Sequence, residues 1–331
     1  MKENYSGIWI FAEQRQGVLN PVVFELLSKA QELKSVTDET ITAVLLGSGV
    51  SGLADELIAR GAERVLIAEH EALSVYSARP YQQALTQLVE RYKPSILLYG
   101  ATSQGRDLAP RMMVALQTGL TADAIDLGYD EDGVFFQATP AYGGKILAHI
   151  VILEKRPQMA TVRPQIFDPL PPDSTRRGEI VTETVEVAGD GDYEVLACAP
   201  KPEGTQPIDR AALLVSGGRG IKHETDFAML DELARLLHGQ LASSRPPVDQ
   251  GWLPHEKQIG QSGTTVKPAY ILNVGISGSV QYQVGMQNAA CIISINHNPD
   301  APIFGISQYG VVADYRKVVP AIIAEICKRK A

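Results

Sequence analysis

Short, uninterrupted apolar runs alternate along most of the chain with longer stretches of helical periodicity. Strands that lack polar alternation are typically buried on both faces, so this pattern predicts an α/β fold with parallel sheets covered by helices. In the first half, one helical pattern begins near Pro21 and another near Leu53, and a third helix is predicted over 81–92. The strands predicted there span residues 7–12, 41–46, 65–68 and 95–100.

The pattern changes between residues 133 and 163, where antiparallel strands with a glycine turn at 142–144 are predicted. A polar strand is predicted over 180–187, and the Pro/Gly-rich segment 200–204 is typical of a linker. Because 331 residues also suit two domains, we expect these at 1–200 and 208–331.

The second domain repeats the alternation of strands and helices. A helix is predicted over 227–237, with Gly239 just past its end. A long loop without regular periodicity runs from after Pro247 to Pro268, and a final helix is predicted over 318–329. The strands predicted in this half span residues 211–215, 270–274, 290–295 and 302–305, with 240–243 leading into Ser244.

Composition and charge exclude several functions. Lys plus Arg total 30 and Asp plus Glu total 38, and the net charge of −8 argues against a general binder of nucleic acid or anionic membranes. Three cysteines and six histidines lack the spacing of a disulfide framework or a metal site. No apolar run reaches the ~18 residues of a membrane helix, and the N-terminal residues lack a signal-peptide pattern. We therefore expect a cytoplasmic protein without a bound metal.

Small and polar residues follow the predicted strands of the second domain, at 216–220, 244–245, 275–278 and Asn296. Ligands of doubly wound sheets bind beyond the carboxyl ends of the strands, where glycine lets backbone N–H groups approach phosphate and arginine adds a bidentate donor. Four such strand ends favour a dinucleotide site, although the GxGxxG spacing of the usual Rossmann fingerprint is absent.

Two other segments are rich in glycine or polar residues. The polar loop 258–265 is either a solvated surface turn or a loop over a polar heterocycle, with the Ser262 hydroxyl bonding to that ring. The glycine turns at 47–52 suggest a vestigial nucleotide fold without a ligand of its own.

Six motifs of the second half occur in one order: SGGRG, SRPPVDQGW, QIGQSG, GISGSVQY, INHNPDAPIF and YGVVAD. Together they resemble the FAD domain of electron transfer flavoprotein alpha subunits, and residues 100–111, 119–123 and 160–164 resemble the family's first domain. The resemblance implies an N-terminal, nucleotide-alpha-hydrolase-like parallel-sheet domain that contacts the partner subunit. It also implies a C-terminal doubly wound, Rossmann-like FAD-binding domain.

The resemblance further assigns residues to parts of the FAD cofactor. Arg219 matches an arginine at the FAD phosphates, and Ser244 and Arg245 match the pair beside the isoalloxazine ring. Ser262 matches a hydroxyl at flavin N5. The other matches are Ile259, Gly260 and Gln261 along the flavin, then Ser277, Gly278, Ser279, Val280, Gln281 and Tyr282 near the pyrophosphate and ring, and Asn296, Asp314 and Tyr315 near the ADP half.

Two of these residues bear on the redox chemistry. Taken alone, Arg245 favours a surface ion pair, for example with Asp249. With the flanking motifs, we expect its permanent positive charge to stabilise the anion that forms when a flavin gains an electron. Many family members have histidine where this chain has Tyr282, near the flavin C2 carbonyl. Tyrosine can donate one hydrogen bond but brings no positive charge in the ordinary pH range.

The resemblance implies an electron carrier, paired with an electron transfer flavoprotein beta subunit. Such a heterodimer passes electrons between dehydrogenases, such as acyl-CoA dehydrogenases, and an acceptor, and some relatives carry out NADH-dependent electron bifurcation. The alternative is a stand-alone nucleotide-dependent oxidoreductase, which would need a general acid, base or nucleophile at the strand ends, where we recognise none. A third hypothesis, an adaptor without a cofactor, conflicts with the joint presence of Arg219, Arg245, Ser262 and Asn296.

Overall fold

The computed structural model describes residues 5–141, 146–192, 195–198 and 207–330. Contacts between Cα atoms divide the chain into two compact units, Met1–Ala199 (unit 1) and Pro200–Ala331 (unit 2). The glycine turn expected at 142–144 and the linker expected at 200–204 lie outside the described residues.

Unit 1 alternates strands and helices. Its first helix begins after Asn20, whose side chain accepts a hydrogen bond from Val22 N at 3.2 Å, and Pro21 fits the first helical position because its missing N–H is not needed there. The elements are β1 Ile8–Phe11, β2 Gln14–Arg15, β3 Val18–Leu19, α1 Pro21–Thr37, β4 Ile41–Gly47, α2 Ala54–Ala59, β5 Arg64–Glu69, α3 Ala78–Tyr92, β6 Ile96–Gly100, α4 Ser103–Ala115, β7 Leu120–Ala124, β8 Asp126–Tyr129, β9 Phe135–Ala141, β10 Ile146–Val151, β11 Gln158–Val162 and β12 Glu179–Thr182.

The main sheet of unit 1 has the strand order β12-β5-β4-β1-β6-β11-β7, with neighbouring strands parallel. β1 and β4 are buried along their whole length, which requires cover on both faces. Leu26 of α1 packs in the core of one face and Leu85 of α3 in the core of the other. The predicted parallel sheet is therefore confirmed.

Two expectations for unit 1 need correction. β8, β9 and β10 are antiparallel, but β11, within the predicted antiparallel region 133–163, pairs in parallel with β6 and β7 because it is fully buried in the main sheet. The polar strand predicted over 180–187 is shorter, at Glu179–Thr182. It lies at the edge of the main sheet beside β5, and an edge position accommodates its exposed polar residues.

Unit 2 contains a parallel sheet with the strand order β14-β13-β15-β16-β17. Its elements are β13 Leu213–Gly217, α5 Asp226–Leu236, β14 Gln240–Ser243, α6 Arg245–Asp249, β15 Tyr270–Val274, α7 Val280–Gln283, β16 Cys291–Asn296, β17 Tyr309–Val312 and α8 Tyr315–Lys330. In this sheet β14 lies on one side of β13, and the next strand along the chain, β15, lies on the other side of β13. The direction of winding thus reverses between β13 and β15, which is where doubly wound sheets bind ligands.

Three expectations for unit 2 are wrong in detail. Residues 302–305 are not a strand, because Pro302–Ile306 is a 3₁₀ turn whose Ile303 N donates to Ser277 O at 3.0 Å, holding the segment against the turn after β15. Tyr309–Val312 takes the strand position instead. The final helix begins at Tyr315, before the predicted residue 318, and the long loop contains a 3₁₀ turn at His255–Lys257.

Three features bear on the exclusions drawn from composition. Among the described residues, no helix combines the length and apolar character needed to cross a bilayer. The three cysteines, which all fall within the described ranges, are free. Across those same ranges, no group of three or more His, Cys, Asp or Glu side chains is arranged to hold a metal ion.

A glycine in unit 1 sets the distance between a helix and the sheet. A Cβ atom at Gly105, in the first turn of α4, would lie 1.9 Å from Gly100 O at the end of β6. We expect Gly105→Ala to lower the free energy of unfolding of unit 1 by about 1–3 kcal/mol, because α4 must move away from β6. Gly52→Ala is the matched control, since a Cβ there meets nothing within 4 Å. Urea denaturation measures both variants, and equal midpoints for the two would contradict the prediction.

Candidate functional site

Two clefts lie at the carboxyl ends of the strands in unit 2. The large cleft has a volume of ≈ 490 Å³, and the small cleft a volume of ≈ 300 Å³. The large cleft is lined by Arg219, Ser244, Arg245, Pro246, Asp249, Gln258, Ile259, Gly260, Gln261, Ser262, Ile276, Ser277, Gly278, Ser279, Gln281 and Tyr282. The small cleft is lined by Gly220, Lys222, Gly275, Ile295, Asn296, His297, Ala313, Asp314, Tyr315 and Arg316.

The turns after β13 and β15 touch through their backbones. A Cβ atom at Gly218 would lie 2.5 Å from Gly275 O, and one at Gly220 would lie 2.7 Å from the same oxygen. Gly220 N donates to that oxygen at 2.8 Å, and Gly275 itself has φ +65°, a conformation that favours glycine. Glycine at these positions therefore allows the two strand ends to meet without side chains filling the space between them.

The polar loop 258–265 is attached to α7. Gln261 N donates to Gln281 O at 2.9 Å, and Val266 N donates to Gly285 O at 2.8 Å. A Cβ atom at Gly285 would lie 2.5 Å from Gly260 N, so glycine permits this close approach as well. The loop thereby forms one wall of the large cleft. Gln261 and Ser262 are exposed there, and Ser262 Oγ accepts a hydrogen bond from Gln258 Nε2 at 3.1 Å.

Two arginines border the large cleft. Arg219 lies in the glycine turn after β13 and is exposed. Arg245 is the first residue of α6, and its Nε atom lies 3.0 Å from Asp249 Oδ2, one turn further along. The surface ion pair that Arg245 alone suggested is thus present. Because the Arg245 side chain is 67% exposed, solvent screens this pair and its contribution to stability is small.

Side chains at the small cleft make hydrogen bonds within unit 2. Asn296 Nδ2 donates to Ile276 O at 2.8 Å, and Asp314 Oδ1 accepts from Arg316 N at 2.9 Å at the start of α8. The Tyr315 hydroxyl donates to Asp226 Oδ2 at 2.5 Å. This hydrogen bond lowers the pKa of Asp226, while burial and the same bond raise the pKa of Tyr315. These residues therefore shape the small cleft as well as line it.

The structure brings nearly all of the residues chosen from sequence to these two clefts. Val280 is not among the lining residues of either cleft. Tyr282 borders the large cleft but is only 3% exposed, and its hydroxyl is bonded inside unit 2. Sequence reasoning missed two cations that line the small cleft, Lys222 and Arg316. Lys222 lies two residues past Gly220 and Arg316 one residue past Tyr315, and this closeness to recognised residues was the available signal.

At the carboxyl ends of the strands in unit 1, acidic side chains accept hydrogen bonds from the turns. The Glu69 carboxylate accepts from Val50 N at 2.7 Å and Ser51 N at 3.0 Å, in the glycine turn after β4. Glu13, after β1, accepts from Thr102 Oγ1 at 2.5 Å, and its burial raises its pKa. Acidic side chains of the chain itself thus bond to the strand-end turns of unit 1.

Residues 8–188 match the electron transfer flavoprotein domain, and residues 207–287 match the electron transfer flavoprotein FAD-binding domain. The chain is 42% identical over 328 residues to electron transfer flavoprotein subunit alpha of Thermoanaerobacterium thermosaccharolyticum, covering 99% of each chain. It is 40% identical to the subunit of the same name from Clostridium acetobutylicum, covering 98% of each. It is also 38% identical to lactate dehydrogenase (NAD(+),ferredoxin) subunit LctC of Acetobacterium woodii, covering 98% of this chain and 78% of that one.

The two domain matches fall in the two units, in the order that the sequence motifs predicted. The full-length similarities to alpha subunits agree with them. The chain therefore belongs to the electron transfer flavoprotein alpha-subunit family, and its C-terminal half is the FAD-binding domain of that family.

Proposed function

We propose that this chain is the FAD-carrying subunit of a heterodimer that passes electrons between dehydrogenases, such as acyl-CoA dehydrogenases, and an acceptor. The observation that carries the proposal is the large cleft, which gathers Arg219, Arg245 and the 259–262 loop at the point where the winding of the sheet reverses. When bound, FAD accepts and releases the electrons, while the protein supplies orientation and electrostatics.

The lining residues suit a dinucleotide in composition and shape. Backbone contact of Gly218 and Gly220 with Gly275 brings the turns after β13 and β15 together beside the clefts, and phosphate oxygens could approach these turns closely because glycine there has no side chain. Arg219 would bind the phosphates, and Asn296, Asp314 and Tyr315 of the small cleft would lie near the ADP half. Ser244 and residues 259–262 would lie along the flavin, with Ser262 offering its hydroxyl proton. Residues 277–282 would follow the pyrophosphate and ring.

Arg245 would favour the reduced flavin. Its guanidinium stays positively charged at all working pH values, so it lowers the free energy of a ring that has gained negative charge. The ion pair with Asp249 holds this guanidinium at the margin of the large cleft. A bound ring would exclude water from that margin, and the arginine's field would be screened less there.

We also propose that domain 1–200 contacts an electron transfer flavoprotein beta subunit and that domain 208–331 binds FAD. Relatives named as alpha subunits support the existence of such a partner. A cytoplasmic location is consistent with the three free cysteines, because a reducing compartment keeps thiols unpaired.

A second candidate function is electron bifurcation with NADH as the donor. The relative named lactate dehydrogenase (NAD(+),ferredoxin) subunit LctC, 38% identical to this chain, favours it. The two functions differ in their electron donor. NADH oxidation that proceeds only when ferredoxin and a second acceptor are both present would indicate bifurcation, whereas reduction by a dehydrogenase alone would indicate the simple carrier.

Co-expression with an electron transfer flavoprotein beta subunit tests the main proposal. We expect a yellow heterodimer that contains FAD in equimolar amount with this chain and accepts electrons from a reduced dehydrogenase. A colourless heterodimer that FAD does not reconstitute would contradict the proposal. Turnover of a substrate by the isolated chain would instead support the stand-alone oxidoreductase.

Arg219→Ala tests the phosphate contact. A hydrogen bond to a charged group contributes about 1.5–3 kcal/mol, so we expect the dissociation constant of FAD to rise roughly ten- to a hundredfold. Fluorescence titration of the apoprotein with FAD measures this constant. Arg235→Ala, which removes an exposed arginine of α5 that does not line the large cleft, should leave the constant unchanged. Equal constants for the two variants would show that Arg219 does not bind the phosphates.

Arg245→Ala tests the electrostatic role. We expect FAD to remain bound and its reduction potential to fall by about 60 mV, the equivalent of a tenfold loss in the stability of the one-electron reduced state. A spectroscopic redox titration measures the potential. Arg235 again provides the control, because it forms a comparable pair with Asp231, at 3.1 Å and one helical turn apart. A potential unchanged by Arg245→Ala would refute this role.

A further inference from the structure

A row of buried polar side chains crosses the sheet of unit 2 near the carboxyl ends of its strands. Ser216 on β13 pairs in register with Asn273 on β15, which pairs in register with Ser294 on β16. All three residues are 0% exposed. Two residues earlier, Leu214 and Ile271 lie on the same face, because alternate residues of a strand share a face. The polar row therefore borders an apolar core surface, where an unpaired polar atom is costly.

The Tyr282 hydroxyl completes the hydrogen bonds of this row. It lies 2.7 Å from Asn273 Oδ1 and 2.9 Å from Ser216 Oγ. Asn273 Nδ2 in turn donates to Ser294 Oγ at 3.3 Å. A phenol has one proton and an amide oxygen only accepts, so the Tyr282 proton goes to Asn273 and Ser216 donates to Tyr282. Burial raises the pKa of Tyr282, which keeps the hydroxyl protonated.

These bonds connect the sheet to a wall of the large cleft. Tyr282 belongs to α7, and the preceding residue accepts the hydrogen bond from Gln261 N. Tyr282 N donates to Ser279 O at 3.0 Å, which closes the first turn of α7. The hydroxyl thus anchors the segment that carries both the 277–282 turn and the attached 258–265 loop.

We propose that Tyr282 is a positioning residue, which fixes the α7 wall of the cleft through its buried bonds to Asn273 and Ser216, and is not a hydrogen-bond donor to the flavin. This inference rests on the proposed function, in which the large cleft binds FAD. It differs from the sequence expectation, which placed the Tyr282 hydrogen bond near the flavin C2 carbonyl.

The two roles predict different consequences for Tyr282→Phe. Phenylalanine retains the ring but leaves Asn273 Oδ1 and Ser216 Oγ without their partner, so the α7 wall loses its anchor. FAD would then have to order this wall as it binds, whatever its redox state. Affinity should fall equally for oxidised and reduced FAD, which leaves the reduction potential unchanged. Loss of a direct donor would instead weaken reduced FAD more and lower the potential.

The test uses the full chain in its heterodimer, with Tyr282→Phe compared with Tyr309→Phe, a tyrosine of β17 that is 65% exposed. We expect the dissociation constant of oxidised FAD to rise roughly tenfold in Tyr282→Phe only, at an unchanged potential. Amide hydrogen exchange of the apoprotein should accelerate in peptides covering 275–285 but not in α5 or α8, a local effect that general destabilisation would not produce.

Three results for Tyr282→Phe would each overturn the positioning role: an unchanged affinity for FAD, a lowered reduction potential, or faster amide exchange throughout unit 2. If Tyr282→Phe fails to fold, Ser216→Ala decides, because it removes one of the two bonds and should give a smaller change of the same kind. A wild-type heterodimer that binds no FAD would refute the proposed function itself. A wild type that binds FAD, with Tyr282→Phe binding equally tightly, would refute only the positioning role.

Discussion

Backbone contact between the turns after β13 and β15 determines the form of the candidate site. Gly218, Gly220 and Gly275 meet at distances that leave no room for a Cβ atom. The contact lies where the winding of the sheet reverses, so the loops after the strands diverge on either side of it. The large and small clefts open along this edge, and their lining residues come from segments that are far apart in the chain.

The two units use comparable sheet edges in different ways. In unit 1, the carboxylates of Glu69 and Glu13 accept hydrogen bonds from the turns at the strand ends. A carboxylate placed on backbone N–H groups satisfies the same donors that a phosphate would use. In unit 2, the corresponding turns carry Arg219 and glycine and line open clefts. Acidic side chains thus occupy donors at the strand ends of unit 1, whereas Arg219 places a positive charge at those of unit 2.

Much of the fold and of the site could be predicted because the relevant signals are local. Apolar runs identified β1, β4 and β6, and the strand-end motifs identified Arg219, Arg245 and the glycine turns. The errors arose where a segment's neighbours decide its structure. Residues 302–305 are as apolar as a strand, but Ile303 N bonds to Ser277 O and the segment becomes a 3₁₀ turn. The direction of β11 likewise follows from its place between β6 and β7.

The family, the cofactor and most cleft-lining positions could therefore be predicted from the sequence, because short motifs specify turns and charges locally. The hydrogen-bond partners of the individual side chains could not be predicted in this way. Ser216, Asn273 and Tyr282 become neighbours only through strand register and the return of α7 onto the sheet, and this proximity commits the Tyr282 hydroxyl to the interior. Hydrogen bonds act over about 3 Å, so their partners are settled by tertiary packing and not by sequence spacing.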